Sequence, residues 1–158
     1  MPRHSETRQL PYSPEQMFEL VADVGRYQEF LPWVVATRIR QRDERSILAD
    51  LIVGFGPLRE TFTSRVALDR PRAIDVDYVE GPLKQLHNSW RFKPGDKGGC
   101  LVDFCVDFTF RSRTFEALAG RMFGEAVRKM VAAFEARAAA LYGAGASGSS
   151  SSSAQSAA

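Results

Sequence analysis

The feature that most constrains the fold of this chain is a long region of short alternating segments, followed by one uninterrupted helical stretch. Between residues 34 and 110 apolar residues tend to recur at every second position, and turn-forming residues interrupt them roughly every 10–15 residues. Six strands fit between these breaks, and the short connections predict an antiparallel meander. The turn clusters are residues 42–44, 54–57, 69–71, 81–82 and 94–99.

The last predicted strand and the helix after it have the clearest patterns. In the strand, apolar Val102, Phe104, Val106, Phe108 and Phe110 alternate with polar Asp103, Cys105 and Asp107. From residue 112 to residue 142 apolar residues recur at steps of three or four without a proline, and Gly143 is a natural stop. The predicted apolar stripe is Phe115, Leu118, Met122, Ala126, Met130, Phe134, Ala138 and Leu141. Because a sheet with one apolar face needs a cover, we expect this helix to pack on it.

Local signals before the sheet region predict two short helices. After a strand predicted at residues 7–12, Ser13 can cap a helix and Gln16 completes a capping box. This helix is expected to end near Asp23, which would itself cap a second short helix. The predicted class is therefore α+β: a strand, two short helices, six antiparallel strands and one long helix.

Composition sets the domain boundary and excludes several classes of protein. Residues 143–158 contain only Gly, Ala, Ser and Gln, which predicts a disordered tail after a single domain at residues 1–142. No apolar run is long enough to span a bilayer, and no secretory segment follows Met1. A net charge of +2 with 25% charged residues argues against a generic nucleic-acid binder. Cys100 and Cys105 are predicted to point to opposite faces of one strand, which argues against a disulfide.

The predicted inner face of the sheet leaves open whether the space under the helix holds side chains or a ligand. Gly120 and Gly124 would allow close approach to the helix, and Glu60, Ser64 and Asn88 are polar residues in phase with the apolar ones. The aromatic residues of this face are Phe62, Tyr78, Trp90, Phe92, Phe104 and Phe108. The same pattern also fits an ordinary packed core, so both interpretations stand at this point.

Residue patterns typical of catalysis are few. His4 near the start and His87 on the outward phase are the two histidines, and no His or Cys spacing predicts a metal site. No nucleophile elbow, phosphate loop or dinucleotide fingerprint is found. Asp103 and Asp107 could form an acidic pair beside Cys105, although a solvated strand face also accounts for them.

Basic residues form two predicted clusters. Arg38, Arg40 and Arg42 alternate along one strand, and Arg128 and Lys129 lie on the long helix. Such clusters can bind anionic lipid headgroups or ribosomal RNA phosphates, and they also fit ordinary solvated surfaces.

An apolar loop follows the second short helix. It contains Tyr27, Phe30, Leu31, Pro32 and Trp33. We expect this loop either to plug the mouth of a cavity or to contact a membrane surface or a partner.

Several segments along the chain match one known family. They are Ser-Pro-Glu-Gln-Met-Phe at 13–18, Phe-Leu-Pro-Trp at 30–33, Gly-Pro-Leu at 81–83, Asn-x-Trp-x-Phe at 88–92, the strand at 104–110 and Met-Val-x-x-Phe at 130–134. Together they resemble the coenzyme Q-binding START-like proteins over nearly all of residues 3–142. Gln28 replaces a usual proline of that family, and Val34 stands where a cysteine commonly follows Pro-Trp.

The resemblance implies a helix-grip fold of the START/Bet v 1-like type, in which a curved antiparallel sheet of about seven strands wraps a long C-terminal helix. It also implies a non-catalytic quinone chaperone for respiratory electron transport, with bound ubiquinone and no required cofactor. The expected ligand contacts are Phe30, Leu31, Trp33, Phe62, Tyr78, Asn88, Trp90, Phe104, Phe108, Met122, Phe123 and Val127. The expected membrane or RNA contacts are Arg38, Arg40, Arg128 and Lys129.

The same resemblance brings two alternatives. Some bacterial relatives are toxins that bind the large ribosomal subunit and block subunit association, and distant relatives are aromatase/cyclases. In a cyclase, turnover would depend on a polar cavity residue such as Glu60 or Asn88. The opening has no Arg/Ser-rich leader, so we expect a bacterial, cytoplasmic protein with peripheral contact at the inner face of the inner membrane. The oligomeric state is left open.

Overall fold

The computed structural model describes residues 3–55, 58–110 and 113–143, with side-chain detail for all of these except 55, 58, 110 and 113–124. The strands are β1 (Arg3–Leu10), β2 (Val34–Arg42), β3 (Ser46–Phe55), β4 (Leu58–Asp69), β5 (Ala73–Glu80), β6 (Leu83–Pro94) and β7 (Cys100–Phe110). The helices are α1 (Pro14–Ala22), a 3₁₀ helix (Val24–Glu29), a short 3₁₀ turn (Asp96–Gly98) and α2 (Arg113–Tyr142). The predicted tail, apart from Gly143, lies outside the described residues.

The strands form one antiparallel sheet of seven strands in the order β1-β7-β6-β5-β4-β3-β2. The predicted meander is confirmed as β2 to β7, and β1 adds beside β7, so that β1 and β2 are the two edges. α2 packs on one face of the curved sheet, which we call the inner face; there Phe134 lies 5.0 Å from Trp90 between ring centroids. The α+β helix-grip architecture is therefore confirmed.

The first strand lies further toward the N-terminus than predicted. It spans Arg3–Leu10 and not residues 7–12, because the long β7 supplies pairing partners from Cys100, opposite Leu10, as far as Asp107, opposite Arg3. Tyr12 lies beyond the strand, is buried, and donates a hydrogen bond to the carbonyl of Gly143 at 3.0 Å.

The capping box at the start of α1 is confirmed. The Ser13 hydroxyl accepts a hydrogen bond from the Gln16 amide at 3.1 Å, and the Gln16 side chain accepts one from the Ser13 amide at 3.0 Å. This local pairing satisfies two amides at the start of the helix without any tertiary contact. The buried face of α1 is formed by Met17, Phe18 and Val21, which pack into the core.

The second short helix is a 3₁₀ helix, and the predicted capping role of Asp23 is wrong. Asp23 occupies the N-cap position, but its side chain makes no capping hydrogen bond. Its carboxylate pairs instead with Arg26 at 3.2 Å, because that cation lies one tight turn further along the helix.

The second half of α2 supplies the buried side of the helix. Val127, Val131, Phe134 and Ala138 are buried there. Leu141 was predicted on this stripe, but it is 52% exposed. The last turn instead directs Tyr142 toward α1, where its hydroxyl donates to the Gln16 carbonyl at 3.1 Å.

The two faces of the sheet differ as the alternation predicted. The buried inner-face residues include Ile47, Ala49, Val66, Leu68, Ile74, Trp90, Phe92, Val102 and Phe104. Cys100 and Cys105 are both free, as predicted, and Cys100 is buried whereas Cys105 is half-buried. The outer face carries mostly polar and charged side chains.

Candidate functional site

One end of the inner face is filled by aromatic side chains. Trp90 contacts Phe104 edge to face at 4.7 Å and Phe134 at 5.0 Å, and it stacks on Phe92 at 6.2 Å between ring centroids. Phe18 of α1 closes this end by packing on Phe92 at 5.9 Å. Trp90 and Phe104, two of the predicted ligand contacts, pack here against protein side chains.

The apolar loop at residues 30–33 is mostly docked on the protein, contrary to its exposed-looking sequence. Phe30 packs on Phe134 at 5.3 Å, and the Arg137 guanidinium lies 5.1 Å from the centre of the Phe30 ring. Arg137 also pairs with Glu29 at 2.7 Å, and Leu31 is buried. The aromatic surface of α2 covers the loop, which the local sequence could not show. Trp33 is half-buried.

The opposite end of the inner face is less completely covered. α2 begins at the end of the sheet where β7 stops, and the pairing of Leu86 with Phe108 marks this end. Phe62 and Tyr78 contact each other at 6.2 Å, and both are only half-buried, as is Leu86. The inner face is therefore tightly packed around Trp90, whereas at the other end Phe62, Tyr78 and Leu86 are half-buried beside the buried Leu83 and Phe108. We call this end the partly open half.

Three inner-face polar groups have different surroundings. Asn88 donates to the Cys105 carbonyl at 2.9 Å and accepts from the Trp90 indole at 2.9 Å, so its amide orients the tryptophan. The Tyr78 hydroxyl accepts from the Leu83 amide at 2.8 Å. Ser64 is buried, with 6% of its surface exposed. The sequence indicated Ser64 because it is a polar residue at one of the alternating positions of β4 that are mostly apolar.

Of the four remaining predicted ligand contacts, two are buried and two have side chains that the structure does not describe. Phe108 and Val127 are buried on the inner side. Met122 and Phe123 lie in α2 but outside the residues whose side chains are described. Glu60 is half-buried, and it lies opposite Val53 on β3.

A chain of charged side chains joins the edge strand β1 to α2. His4 contacts Glu6 at 2.6 Å, Glu6 binds Arg8 at 2.5 Å, and Arg8 reaches Glu135 on α2 at 3.0 Å. Burial alone would raise the pKa of the Glu6 carboxyl, but hydrogen bonds from Arg8 and His4 outweigh it and lower the pKa. His4 was expected in a frayed N-terminal segment, but it is part of this chain of charged side chains.

On the outer face, a buried carboxylate holds two of the three arginines predicted to share a face. The third, Arg42, lies opposite the inner-face residue Ile47, because a bulge between Ile39 and Gln41 shifts the register of β2. Asp50 is 2% exposed and accepts hydrogen bonds from Arg38 at 2.7 Å, Arg40 at 3.0 Å and Thr63 at 2.7 Å. Burial would raise the pKa of Asp50, but these donors outweigh it and hold the pKa below its ordinary value. Sequence analysis missed Asp50 because its buried position depends on pairing with both neighbouring strands.

The four predicted membrane or RNA contacts do not form one surface. Arg38 and Arg40 are 67% and 42% exposed on the outer face of the sheet. Arg128 and Lys129 are exposed on α2, which packs on the inner face. The two basic surfaces therefore lie on opposite sides of the sheet.

The described residues contain neither a metal-binding cluster nor a membrane-spanning helix. Within 3–55, 58–110 and 113–143, no group of three His, Cys, Asp or Glu side chains is placed to hold a metal ion. No described helix combines the length and the apolar character needed to cross a membrane.

A curved antiparallel sheet that grips one long C-terminal helix, with a partly open apolar half between them, defines a START-like ligand-binding fold. A solved START superfamily protein from Mycobacterium smegmatis superposes with a TM-score of 0.76 at 17% identity, covering 88% of this chain and 98% of that one. The chain belongs to the polyketide cyclase/dehydrase and lipid transport family, whose model matches residues 10–135.

Relatives with stated properties fall into two groups. The ribosome association toxin RatA of Escherichia coli is 38% identical over 144 residues, which is 91% of each chain. The mitochondrial coenzyme Q-binding protein COQ10 homolog B of Xenopus laevis is 37% identical over 89% of this chain and 59% of its own length. The solution structure of the 18 kDa protein CC1736 from Caulobacter crescentus is 41% identical, with a TM-score of 0.73 over 91% of this chain and 100% of that one.

Proposed function

We propose that this protein binds a hydrophobic lipid without chemically changing it, and that the lipid is an isoprenoid quinone of the ubiquinone type. The observation that carries the proposal is the partly open half of the inner face. Phe62, Tyr78 and Leu86 turn apolar surface toward the start of α2 without being fully buried themselves. An apolar wall with few polar groups is typical of a small-molecule pocket.

The chemistry of a quinone suits this wall. A long isoprenoid tail gains about 25 cal/mol for each Å² of apolar surface removed from water, before the cost of association is subtracted. Its aromatic head is able to pack on Phe62 and Tyr78. A relative at 37% identity is named as a coenzyme Q-binding protein, which supports the same ligand class. In a cell, such a carrier would exchange its ligand at a membrane surface while remaining peripheral to it.

The test is to extract purified protein with organic solvent, identify the extracted lipids by mass spectrometry, and then measure uptake of added ubiquinone. We expect quinone in the extract or stoichiometric uptake. A Phe62→Ser variant should lose most of the uptake. Val79→Ser is the matched control, because Val79 is 51% exposed. If the extract contains no quinone and the protein takes up no added quinone, the proposal is contradicted.

A second candidate function is association with the large ribosomal subunit. It is favoured by the Arg38 and Arg40 pair, whose guanidinium groups are exposed yet fixed in place by Asp50. Oriented guanidinium groups suit the phosphates of RNA, and a relative at 38% identity is named as a ribosome association toxin.

This second function predicts co-sedimentation with large ribosomal subunits that weakens as salt rises. Arg38→Gln with Arg40→Gln removes both charges but keeps a hydrogen-bond donor beside Asp50, and it should weaken co-sedimentation strongly and leave quinone uptake unchanged. Arg128→Gln with Lys129→Gln is the matched control on the opposite side of the sheet. No co-sedimentation at low salt would remove this candidate.

A further inference from the structure

Two arginines on the outer face of the sheet converge on a single buried atom. The Oδ2 atom of Asp50 accepts hydrogen bonds from Arg38 Nε at 3.0 Å, from Arg38 Nη2 at 2.7 Å and from Arg40 Nε at 3.0 Å. The other carboxylate oxygen accepts a hydrogen bond from Thr63 at 2.7 Å. The carboxylate therefore holds side by side two positive charges that would otherwise repel each other.

A bulge in β2 makes this convergence possible. Arg38 lies directly opposite Asp50 in the register of β2 and β3. Arg40 falls at the irregularity between Ile39 and Gln41, where β2 has one residue more than β3. Bulges re-aim side chains and are common beside functional sites. Here the bulge turns the second guanidinium toward the oxygen that the first one already contacts.

The pair presents ordered hydrogen-bond donors to solvent. The side chains of Arg38 and Arg40 are 67% and 42% exposed, whereas Asp50 is only 2% exposed. Within the described residues, Nη1 of Arg38 and both terminal nitrogens of Arg40 donate to no protein acceptor. A phosphate accepts several hydrogen bonds at once, and a guanidinium matches its geometry with two parallel bonds. The exposed side of the pair therefore suits a phosphate group.

The neighbouring strands limit where a chain of phosphates is able to lie. Asp75 and Asp77 are on the outer face of β5, nearer the middle of the sheet. Their carboxylates repel phosphate groups there. A polyanion on the outer face is therefore directed to the β2 side of the sheet, where the arginine pair lies.

The fixed orientation of the pair favours RNA over a membrane. A membrane surface attracts basic residues through its average potential, which requires no particular orientation of the side chains. The phosphates of a folded RNA have fixed positions relative to one another. Donors that are already ordered lose less conformational entropy when they contact such phosphates.

We propose that, within the second candidate function on which this inference rests, Asp50 is the positioning residue of an RNA phosphate site. Arg38 and Arg40 together hold one phosphate of the RNA backbone, and Asp50 orders both guanidinium groups before the RNA arrives. Asp50 thus strengthens the binding of a polyanion although its own charge is negative. A surface that acted through net charge alone would bind RNA more tightly without Asp50.

The test measures the affinity of the full chain for a fluorescent RNA hairpin and for purified large ribosomal subunits, at several salt concentrations. Asp50→Asn should weaken the binding of both about tenfold, because two side chains lose their order. It should also make the affinity less dependent on salt, because one phosphate contact is lost. Asp77→Asn is the matched control. It adds the same charge to the same face at an exposed carboxylate that contacts His87, and should change the affinity less than about twofold.

A second variant keeps the charge constant. Arg40→Lys replaces the planar guanidinium by a flexible ammonium and should weaken the binding of both RNA probes about threefold. Its control is Arg128→Lys on α2, which should leave both affinities unchanged. Circular dichroism at the assay temperature shows whether each variant is folded. If Asp50→Asn is unfolded, Arg40→Lys decides the question.

The outcomes separate the phosphate site from the second candidate function. If the hairpin is bound through Asp50 but the large subunits are not bound, the phosphate site stands and the ribosomal function fails. If the subunits are bound and neither Asp50→Asn nor Arg40→Lys weakens that binding, the function stands and the positioning role is wrong. Binding to phosphatidylglycerol vesicles but to neither RNA probe would assign the arginines to a membrane. That result, or no binding to any probe at low salt, would overturn both.

Discussion

At the scale of single residues, Asp50 is the most constrained charge in the described structure. Three side chains donate to its carboxylate, and two of them are arginines on the solvent side. Removing one member of such a cluster leaves the others without their partner, which costs more than an exposed ion pair contributes. Asp50 therefore orders the outer face of β2, β3 and β4 as much as it stabilises them.

We predict that Asp50→Asn lowers the free energy of unfolding by about 1–3 kcal/mol at pH 7, measured by urea denaturation. The matched control is Asp77→Asn, because Asp77 also bonds a neighbouring strand, through His87 at 2.8 Å, but is 70% exposed. The control should change stability by less than about 0.5 kcal/mol. Equal effects would show that burial of Asp50 is unimportant.

The pH dependence has a defined sign. The folded-state pKa of Asp50 lies below its ordinary value of about 3.9, so its stabilisation is complete above that pH and is lost as pH falls through the lower folded value. The difference in stability between the original protein and Asp50→Asn should therefore shrink below pH 4. A difference that stays constant into strong acid would contradict this.

At the scale of elements, the second half of α2 is tied down at its end by contacts with α1 and the 3₁₀ helix. Tyr142 bonds the Gln16 carbonyl, Tyr12 bonds the Gly143 carbonyl, and Arg137 joins Glu29 while covering Phe30. These ties hold the tightly packed half of the molecule.

We predict that Arg137→Met lowers the free energy of unfolding by about 1 kcal/mol and speeds amide hydrogen exchange in residues 24–31. The physical reason is the loss of both the ion pair with Glu29 and the packing on Phe30. Lys129→Met is the control, since that lysine is 61% exposed and pairs with Glu125 of its own helix at 3.6 Å. Faster exchange throughout the molecule would point to general destabilisation instead.

Local patterns predicted most elements because their causes are local. The Ser13 and Gln16 capping box, the six-strand meander and the long helix depend on residues close together in the chain. The start of β1 was not predictable in the same way, because its register is set by β7, which follows about a hundred residues later. The exposure of Leu141 was missed because the position of Tyr142 against α1 decides it.

Prediction of the site was less complete for the same reason. The aromatic inner face followed from alternation, but alternation could not distinguish Trp90, which is enclosed by Phe104 and Phe134, from Phe62, which is half-buried. The burial of Asp50 and the chain of charged side chains from Glu6 to Glu135 depend on contacts between strands and between β1 and α2. Sequence pattern indicates which face a residue takes, whereas its partner is set by the tertiary structure.

At the scale of the whole molecule, charge and packing are both distributed unevenly. The net charge of +2 hides two basic surfaces, the arginine pair on the outer face of the sheet and the basic residues on α2, because acidic residues elsewhere in the chain offset them. The inner face is likewise tightly packed at one end and partly open at the other. A single small domain therefore keeps a tightly packed core in one half and half-buried apolar side chains in the other.

We predict that removing residues 144–158 leaves the unfolding temperature unchanged, because Gly, Ala, Ser and Gln there supply almost no apolar surface. Ending the chain at Ala140 is the contrasting truncation. It removes the Tyr142 and Gly143 hydrogen bonds with α1 and Tyr12, and should lower the unfolding temperature by roughly 5 °C. Both unfolding temperatures are measured by calorimetry. A large fall on removing residues 144–158 would contradict the predicted end of the domain at residue 142.

The two edges of the sheet have a consequence for self-association. An uncovered edge strand offers unpaired backbone groups to strands of other molecules, and this is a common route to aggregation. β2 is interrupted twice in its register, between Val34 and Ala36 and between Ile39 and Gln41, and β1 carries charges such as Arg3 and Arg8. Both devices discourage the addition of a further strand. An open sheet of seven strands thus keeps the unpaired backbone groups of its two edges from pairing with strands of other molecules.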